Sequence, residues 1–142
     1  MSNAKELIIT WFKRVWEEED ASAIDELLVP EVNVNGLGAQ TMIGPEAFKQ
    51  FHCALCSLLT DFDFTIDKYL EQDDWVSALC TMKAKSKATG DPITMTGNVW
   101  IRTGDGKLIE GYNHFDFMGL WAQLGYLPHD CFEQGLSGCK IR

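Results

Sequence analysis

Apolar residues recur at helical spacing in three stretches of the first 60 residues, and this pattern predicts three helices. The first helix is predicted over about residues 4–18, with an apolar face formed by Leu7, Ile8, Trp11, Phe12 and Val15. A second, shorter helix is predicted to end at Pro30, because proline cannot continue a helix. Gly44 and Pro45 begin a third, since proline suits the first helical turn.

After Thr60 the apolar period changes to two, which is typical of strands with one buried face. Four alternating segments follow, over residues 62–70, 76–85, 93–102 and 108–116. A short strand is also predicted at residues 32–35, and Asp105-Gly106 predicts a tight hairpin turn. Helices first and strands later, joined by short connections, predict an α+β fold with helices on one face of an antiparallel sheet. If such a sheet curves strongly, it encloses a cavity.

Composition narrows the possible partners. The chain of 142 residues is predicted to form one domain, residues 1–142, and its net charge of −9 argues against nucleic acid and anionic membranes. We find neither an apolar run of the ~18 residues needed to cross a bilayer nor a signal-peptide pattern. The five cysteines are therefore expected to be reduced thiols in a cytoplasmic protein.

The last predicted strand concentrates the groups capable of acid–base chemistry. In regular alternation, one of its faces carries Leu108, Glu110, Tyr112, His114 and Asp116. The opposite face carries Ile109, Asn113 and Phe115. Because residues two apart on a strand are separated by ~6.6 Å, Tyr112, His114 and Asp116 are predicted to line one wall together.

The order of elements and this closing motif resemble the nuclear transport factor 2-like superfamily, and within it the SnoaL-like polyketide cyclases. The matching positions are 105–110, Tyr112 where the family usually has tryptophan, Asp116, 119–120 and 123–125. Earlier matches lie at residues 26–32 and 44–48. The resemblance implies a cone-shaped fold in which N-terminal helices pack on a curved antiparallel sheet.

The resemblance also implies a reaction, an intramolecular aldol ring closure on a hydrophobic carbonyl compound that needs neither metal nor cofactor. Asp116 would act as the general acid and base, because an apolar pocket raises the pKa of a carboxyl group towards neutrality. His114 would stabilise an enolate or relay the proton. The candidate substrate-binding residues are Asn35, Asn98, Tyr112, Trp11 and Trp100.

Other interpretations compete with the cyclase. Asp116 and Arg102 are candidates for two members of the Asp–Arg–Asp set of epoxide hydrolases of this fold. The chain could also be a non-catalytic binder of a hydrophobic small molecule, or an interaction module that uses its sheet face. In a purely structural interpretation, Asp116 caps the next helix, Glu110 pairs with Arg102, and His114 and His52 are satisfied core histidines. A homodimer through the open face of the sheet is expected, since symmetric dimers are the commonest assembly.

Overall fold

The computed structural model describes residues 4–142 and contains five α-helices and six strands in that range. The helices are α1 (Ala4–Trp11), α2 (Ser22–Leu27), α3 (Pro45–Leu58), α4 (Phe117–Gln123) and α5 (Cys131–Leu136). The strands are β1 (Leu28–Asn35), β2 (Met42–Ile43), β3 (Leu59–Gln72), β4 (Trp75–Ser86), β5 (Pro92–Gly104) and β6 (Lys107–Phe115). Within the described part of the chain, no helix is long and apolar enough to cross a membrane.

All six strands form one curved sheet in the order β2-β1-β6-β5-β4-β3. The four long strands β3 to β6 pair with their sequence neighbours in antiparallel fashion, as the alternating pattern predicts. β1 pairs in parallel with β6, so the sheet is mixed. The strand predicted at residues 32–35 begins earlier than expected, at Leu28. The helix predicted to end at Pro30 already ends at Leu27, and Pro30 lies within β1. The predicted α+β class is confirmed.

The first predicted helix consists of two kinds of helix. After α1 the chain continues as a π-helical segment, Phe12–Glu17. In the last turn of this segment the carbonyl of Val15 lies 2.7 Å from Nε2 of His52, which is buried in α3. Because a carbonyl only accepts, Nε2 must carry the proton. His52 is thus a satisfied core histidine, as the structural interpretation expected.

Aromatic side chains dominate the core between the helices and the inner face of the sheet. Trp16, in the π-helical segment, lies at the centre of this cluster. Its ring lies within 6.5 Å of the rings of Phe48, Phe51, His52, Phe62 and Phe64. The cone of the fold is therefore largely filled by the protein's own side chains.

Candidate functional site

A β-bulge near the start of β6 decides which of its residues face the helices. Arg102 of β5 pairs with Glu110, and Thr103 pairs with Leu108. Ile109 is therefore an extra residue without an opposite partner. An extra residue of this kind interrupts the alternation of a strand, so the side chains before and after it are out of phase.

As a result, the predicted wall of β6 is divided between two faces of the sheet. Leu108 lies on the inner face with Gly111, Asn113 and Phe115. Tyr112 and His114 lie on the outer face, away from the helices. The prediction that Leu108, Tyr112 and His114 share one face was wrong, because regular alternation does not account for the bulge.

The inner face, together with the helices, encloses a small apolar cavity of about 70 Å³. Its lining includes Trp11, Phe12, Trp16, Phe48, Phe51, Met82, Met95, Phe115 and Phe117. Pockets for drug-sized ligands usually measure about 300–1,000 Å³. The cavity as it stands therefore admits only a very small molecule, and a larger one requires side chains to move.

Asn113 supplies a polar side chain of this cavity that is only partly engaged in hydrogen bonds with the protein. Its Nδ2 donates to the main-chain carbonyl of Asn35, at 3.0 Å, which fixes the amide group beside β1. Its Oδ1 accepts no hydrogen bond from any residue within 4–142. The position was missed in the sequence because Asn113 was assigned to the opposite face. A glycine inside a predicted strand often marks a bulge, so Gly111 is the sequence signal that could have corrected the assignment.

Asn35, a predicted substrate-binding residue, instead ties β1 to its neighbours. Its Nδ2 donates to the carbonyl of Gly111 at 3.3 Å, and its Oδ1 accepts from Thr41 Oγ1 at 2.6 Å. Both ends of this amide are thus engaged with protein groups. Its role here is to hold β6 and the loop after β1 in place.

An aromatic groove of about 820 Å³ lies on the outer face of the sheet. We call it the outer groove; it is lined by Leu70, Glu71, Gln72, Asp73, Trp75, Ser77, Trp100, Tyr112 and His114. The ring of Trp75 lies 6.4 Å from those of both Trp100 and Tyr112, and the side chain of Trp100 is 52% exposed. The aromatic side chains of the sheet thus fall into two separate sets, one inside and one outside.

Arg102, Glu110 and Tyr112 form a polar network beside the outer groove. Arg102 Nε donates to Glu110 Oε1 at 2.6 Å, and the hydroxyl of Tyr112 donates to Glu110 Oε2 at 2.9 Å. The hydrogen bonds from Arg102 and Tyr112 lower the pKa of the Glu110 carboxyl group. Glu110 is therefore a charged carboxylate with a hydrogen-bond donor at each oxygen, and not a proton donor. This holds although Glu110 also contributes to the lining of the inner cavity.

Asp116 lies at the end of β6 and caps α4. Its Oδ1 accepts from the main-chain nitrogen of Gly119 at 2.9 Å, and its side chain is exposed. Since Arg102 pairs with Glu110, six residues before Asp116, the two are separated by roughly 20 Å along the strand. Asp116 and Arg102, the two candidates of the epoxide hydrolase interpretation, therefore do not lie in one site.

The predicted site residues thus occupy several places. Among residues 4–142, Trp11 is the one predicted site residue that lines the inner cavity, and its ring lies 5.1 Å from that of Phe48. Tyr112, His114 and Trp100 line the outer groove. Asn98 is on the same outer face, where its Oδ1 accepts from Ser77 Oγ at 3.4 Å.

Solved structures with this architecture come from several bacteria. TsrD from Streptomyces laurentii superposes with a TM-score of 0.72 at 21% identity, covering 87% of this chain and 95% of that one. A putative polyketide cyclase from Acidithiobacillus ferrooxidans gives 0.74 at 22% identity, with coverage of 86% and 94%. A putative SnoaL-like polyketide cyclase from Jannaschia sp. CCS1 gives 0.76 at 15%, with 88% and 93%. At these identities the likeness shows the fold alone.

The sequence itself gives the more specific result. No functionally curated protein matches it. The family model of the SnoaL-like polyketide cyclases, however, matches residues 6–124. This range contains all six strands and the helices α1 to α4, apart from the first two residues of α1. The chain therefore belongs to the SnoaL-like polyketide cyclase family.

Proposed function

We propose that this protein binds a small, neutral, apolar molecule in its inner cavity, with Asn113 as the polar contact. The observation that carries this proposal is the free acceptor Oδ1 of Asn113 in a largely apolar lining. Among the lining residues within 4–142, Glu110 is the one ionisable group, and its carboxylate is already bonded to Arg102 and Tyr112. A charged ligand would have no partner there and would pay the full cost of desolvation.

The acid–base role predicted for Asp116 and His114 remains the alternative, and the geometry favours the binder. A general acid must come within about 2.6–3.2 Å of the reacting group, directly or through one water molecule. Asp116 caps α4 and His114 lines the outer groove, so neither belongs to the lining of the inner cavity. Asp116→Asn is the informative variant once a substrate is known, since asparagine caps a helix as well as aspartate. A loss of turnover would then report chemistry and not folding.

Replacing Asn113 by leucine should weaken the binding of phenol while leaving toluene binding unchanged or slightly stronger. Phenol can donate its hydroxyl proton to Oδ1, whereas toluene, of similar shape, cannot. One hydrogen bond contributes about 0.5–1.5 kcal/mol, which corresponds to a loss of about two- to tenfold in phenol affinity. Ligand-detected NMR titration of both compounds measures the difference.

Asn98→Leu is the matched control, because Asn98 lies on the outer face and should not alter either affinity. Both variants are first compared with the wild type by thermal unfolding, since Asn113 also bonds to the carbonyl of Asn35. Equal responses of phenol and toluene to Asn113→Leu would contradict the role of Oδ1. Failure of every neutral probe to bind the wild type would contradict the proposed site.

We also propose that the outer face of the sheet mediates homodimerisation. Its exposed apolar side chains are Leu70, Leu79, Trp100 and Tyr112, and large exposed apolar patches usually mark interaction sites. Trp100→Asp should therefore convert a dimer into a monomer in sedimentation equilibrium. Ile43→Asp is the control, because Ile43 is 68% exposed on the edge strand β2. An unchanged mass for Trp100→Asp, or a monomeric wild type, would refute this interface.

A further inference from the structure

One side of the inner cavity is closed by α4 through the side chain of Phe117. The ring of Phe117 lies 6.4 Å from that of Phe51 in α3 and 6.4 Å from that of Phe115, both of which also line the cavity. Phe51, Phe115 and Phe117 are partly exposed, whereas Trp11 and Phe48 deeper in the lining are buried. Phe117 therefore lies on a partly exposed side of the cavity.

The far end of α4 is attached to β5 by the side chain of Gln123. Thr94 donates its main-chain N–H to Gln123 Oε1 at 2.9 Å, and Gln123 Nε2 donates to the Thr94 carbonyl at 2.7 Å. The pairing of β5 with β6 ends at Gly97 and Phe115, so Thr94 lies beyond the last paired residue. The amide of Gln123 thus takes the place of a neighbouring strand at this free edge.

The remaining attachments of α4 combine one buried side chain with several partly buried ones. Leu120 is the one residue of this helix that is fully buried, while Phe117, Trp121 and Leu124 are partly buried against the core. The Asp116 cap bonds to Gly119 at the start of the helix. The hydrogen bonds of Asp116 and Gln123 are both exposed to solvent. A short helix with one fully buried side chain and solvent-exposed hydrogen bonds opens at a lower free-energy cost than the elements of the core.

We propose that α4 is the gate of the inner cavity, with Phe117 as the residue that sets the size of the ligand admitted and Gln123 as the latch. This inference rests on the proposed function, because a gate needs a cavity that binds. The cavity of about 70 Å³ is too small for most organic molecules unless a lining side chain moves. Of the partly exposed rings in the lining, Phe117 is the one carried by α4, which has a single fully buried side chain, and we therefore assign the movement to it.

The size limit is tested with Phe117→Ala and the neutral fluorescent probe N-phenyl-1-naphthylamine. The variant should bind this probe at least tenfold more tightly than the wild type, while its affinity for the smaller phenol changes less than threefold. Phe132→Ala is the matched control, because Phe132 is 58% exposed on α5 and does not line the cavity. Equal affinity of Phe117→Ala and Phe132→Ala for the large probe would overturn the role of Phe117.

The latch is tested by stopped-flow fluorescence with 2-naphthol. In Gln123→Ala both the association and the dissociation rate should rise severalfold with little change in their ratio, since opening is favoured and the cavity is unaltered. Gln134→Ala removes the solvent-exposed hydrogen bonds of another glutamine, in α5, and should leave both rates unchanged. Hydrogen exchange of the Thr94 amide, which needs no ligand, should be faster in Gln123→Ala alone.

The outcomes separate the gate from the binding site. If phenol binds and responds to Asn113→Leu, but the Phe117 and Gln123 variants behave like their controls, the gate is refuted and the binding site stands. If neither the wild type nor Phe117→Ala binds any of the neutral probes, the proposed function is refuted and the gate with it.

Discussion

Replacing Gly36 by alanine is expected to lower the free energy of unfolding by about 2–5 kcal/mol. Gly36 follows β1 and has φ +88°, a conformation that costs an L-residue roughly 1–2 kcal/mol. A Cβ atom at this position would also collide with the main-chain carbonyl of Asn113 in β6. Since backbone cannot rotate aside as a side chain can, β1 and β6 must separate, and overpacking of this kind costs about 1–3 kcal/mol more.

Gly38→Ala is the control that separates the two causes. Gly38 is in the same loop and has φ +111°, but a Cβ atom there would meet nothing within 4 Å. We expect this variant to lose only the conformational part, about 1–2 kcal/mol. Urea unfolding followed by circular dichroism gives both values. A similar loss for the two variants would show that the approach of Gly36 to Asn113 is unimportant for stability.

Replacing Trp16 by alanine is expected to cost about 3–5 kcal/mol, the usual range for removing a large buried aromatic side chain. Trp16 is 6% exposed, and five aromatic rings surround it. Its nearest ring neighbour is His52, at 4.8 Å between centroids. The loss therefore includes ring–ring contacts as well as buried area, and a void between α3 and β3 remains.

Tyr126→Ala provides the comparison for Trp16, because Tyr126 is 59% exposed after α4. Exposed positions of this kind usually change stability by less than about 0.5 kcal/mol. Thermal and urea unfolding of both variants test the difference. If Trp16→Ala were no more destabilising than Tyr126→Ala, the aromatic cluster would not be the core of the protein.

Both predictions bear on the proposed cavity as well as on stability. Gly36 lies against the backbone of Asn113, the proposed polar contact, and Trp16 is part of the lining. Both substitutions should therefore alter ligand binding as well as stability. The cavity is thus maintained by the same packing that holds the helices on the sheet.

Most of the secondary structure could be predicted from the sequence because it depends on local patterns. The long strands β3 to β6 follow from strict alternation, and the hairpin between β5 and β6 follows from Asp105-Gly106. The pair of Arg102 and Glu110 also followed from this hairpin, because the turn brings the two residues opposite each other. The π-helical segment was not predicted, since its apolar spacing is close to that of an α-helix.

The location of the site depended on contacts between strands. The amino-acid pattern is enough to predict that the polar groups Tyr112, Asn113, His114 and Asp116 cluster at the end of β6, and to assign this motif to the family. Which of them faces the cavity depends on the fold, because the bulge at Ile109 arises from the pairing of β6 with β5. A shift of one residue exchanges the two faces of a strand. The bulge therefore places Asn113 on the inner face of the sheet and leaves Tyr112 and His114 on the outer face, while Asp116 caps α4.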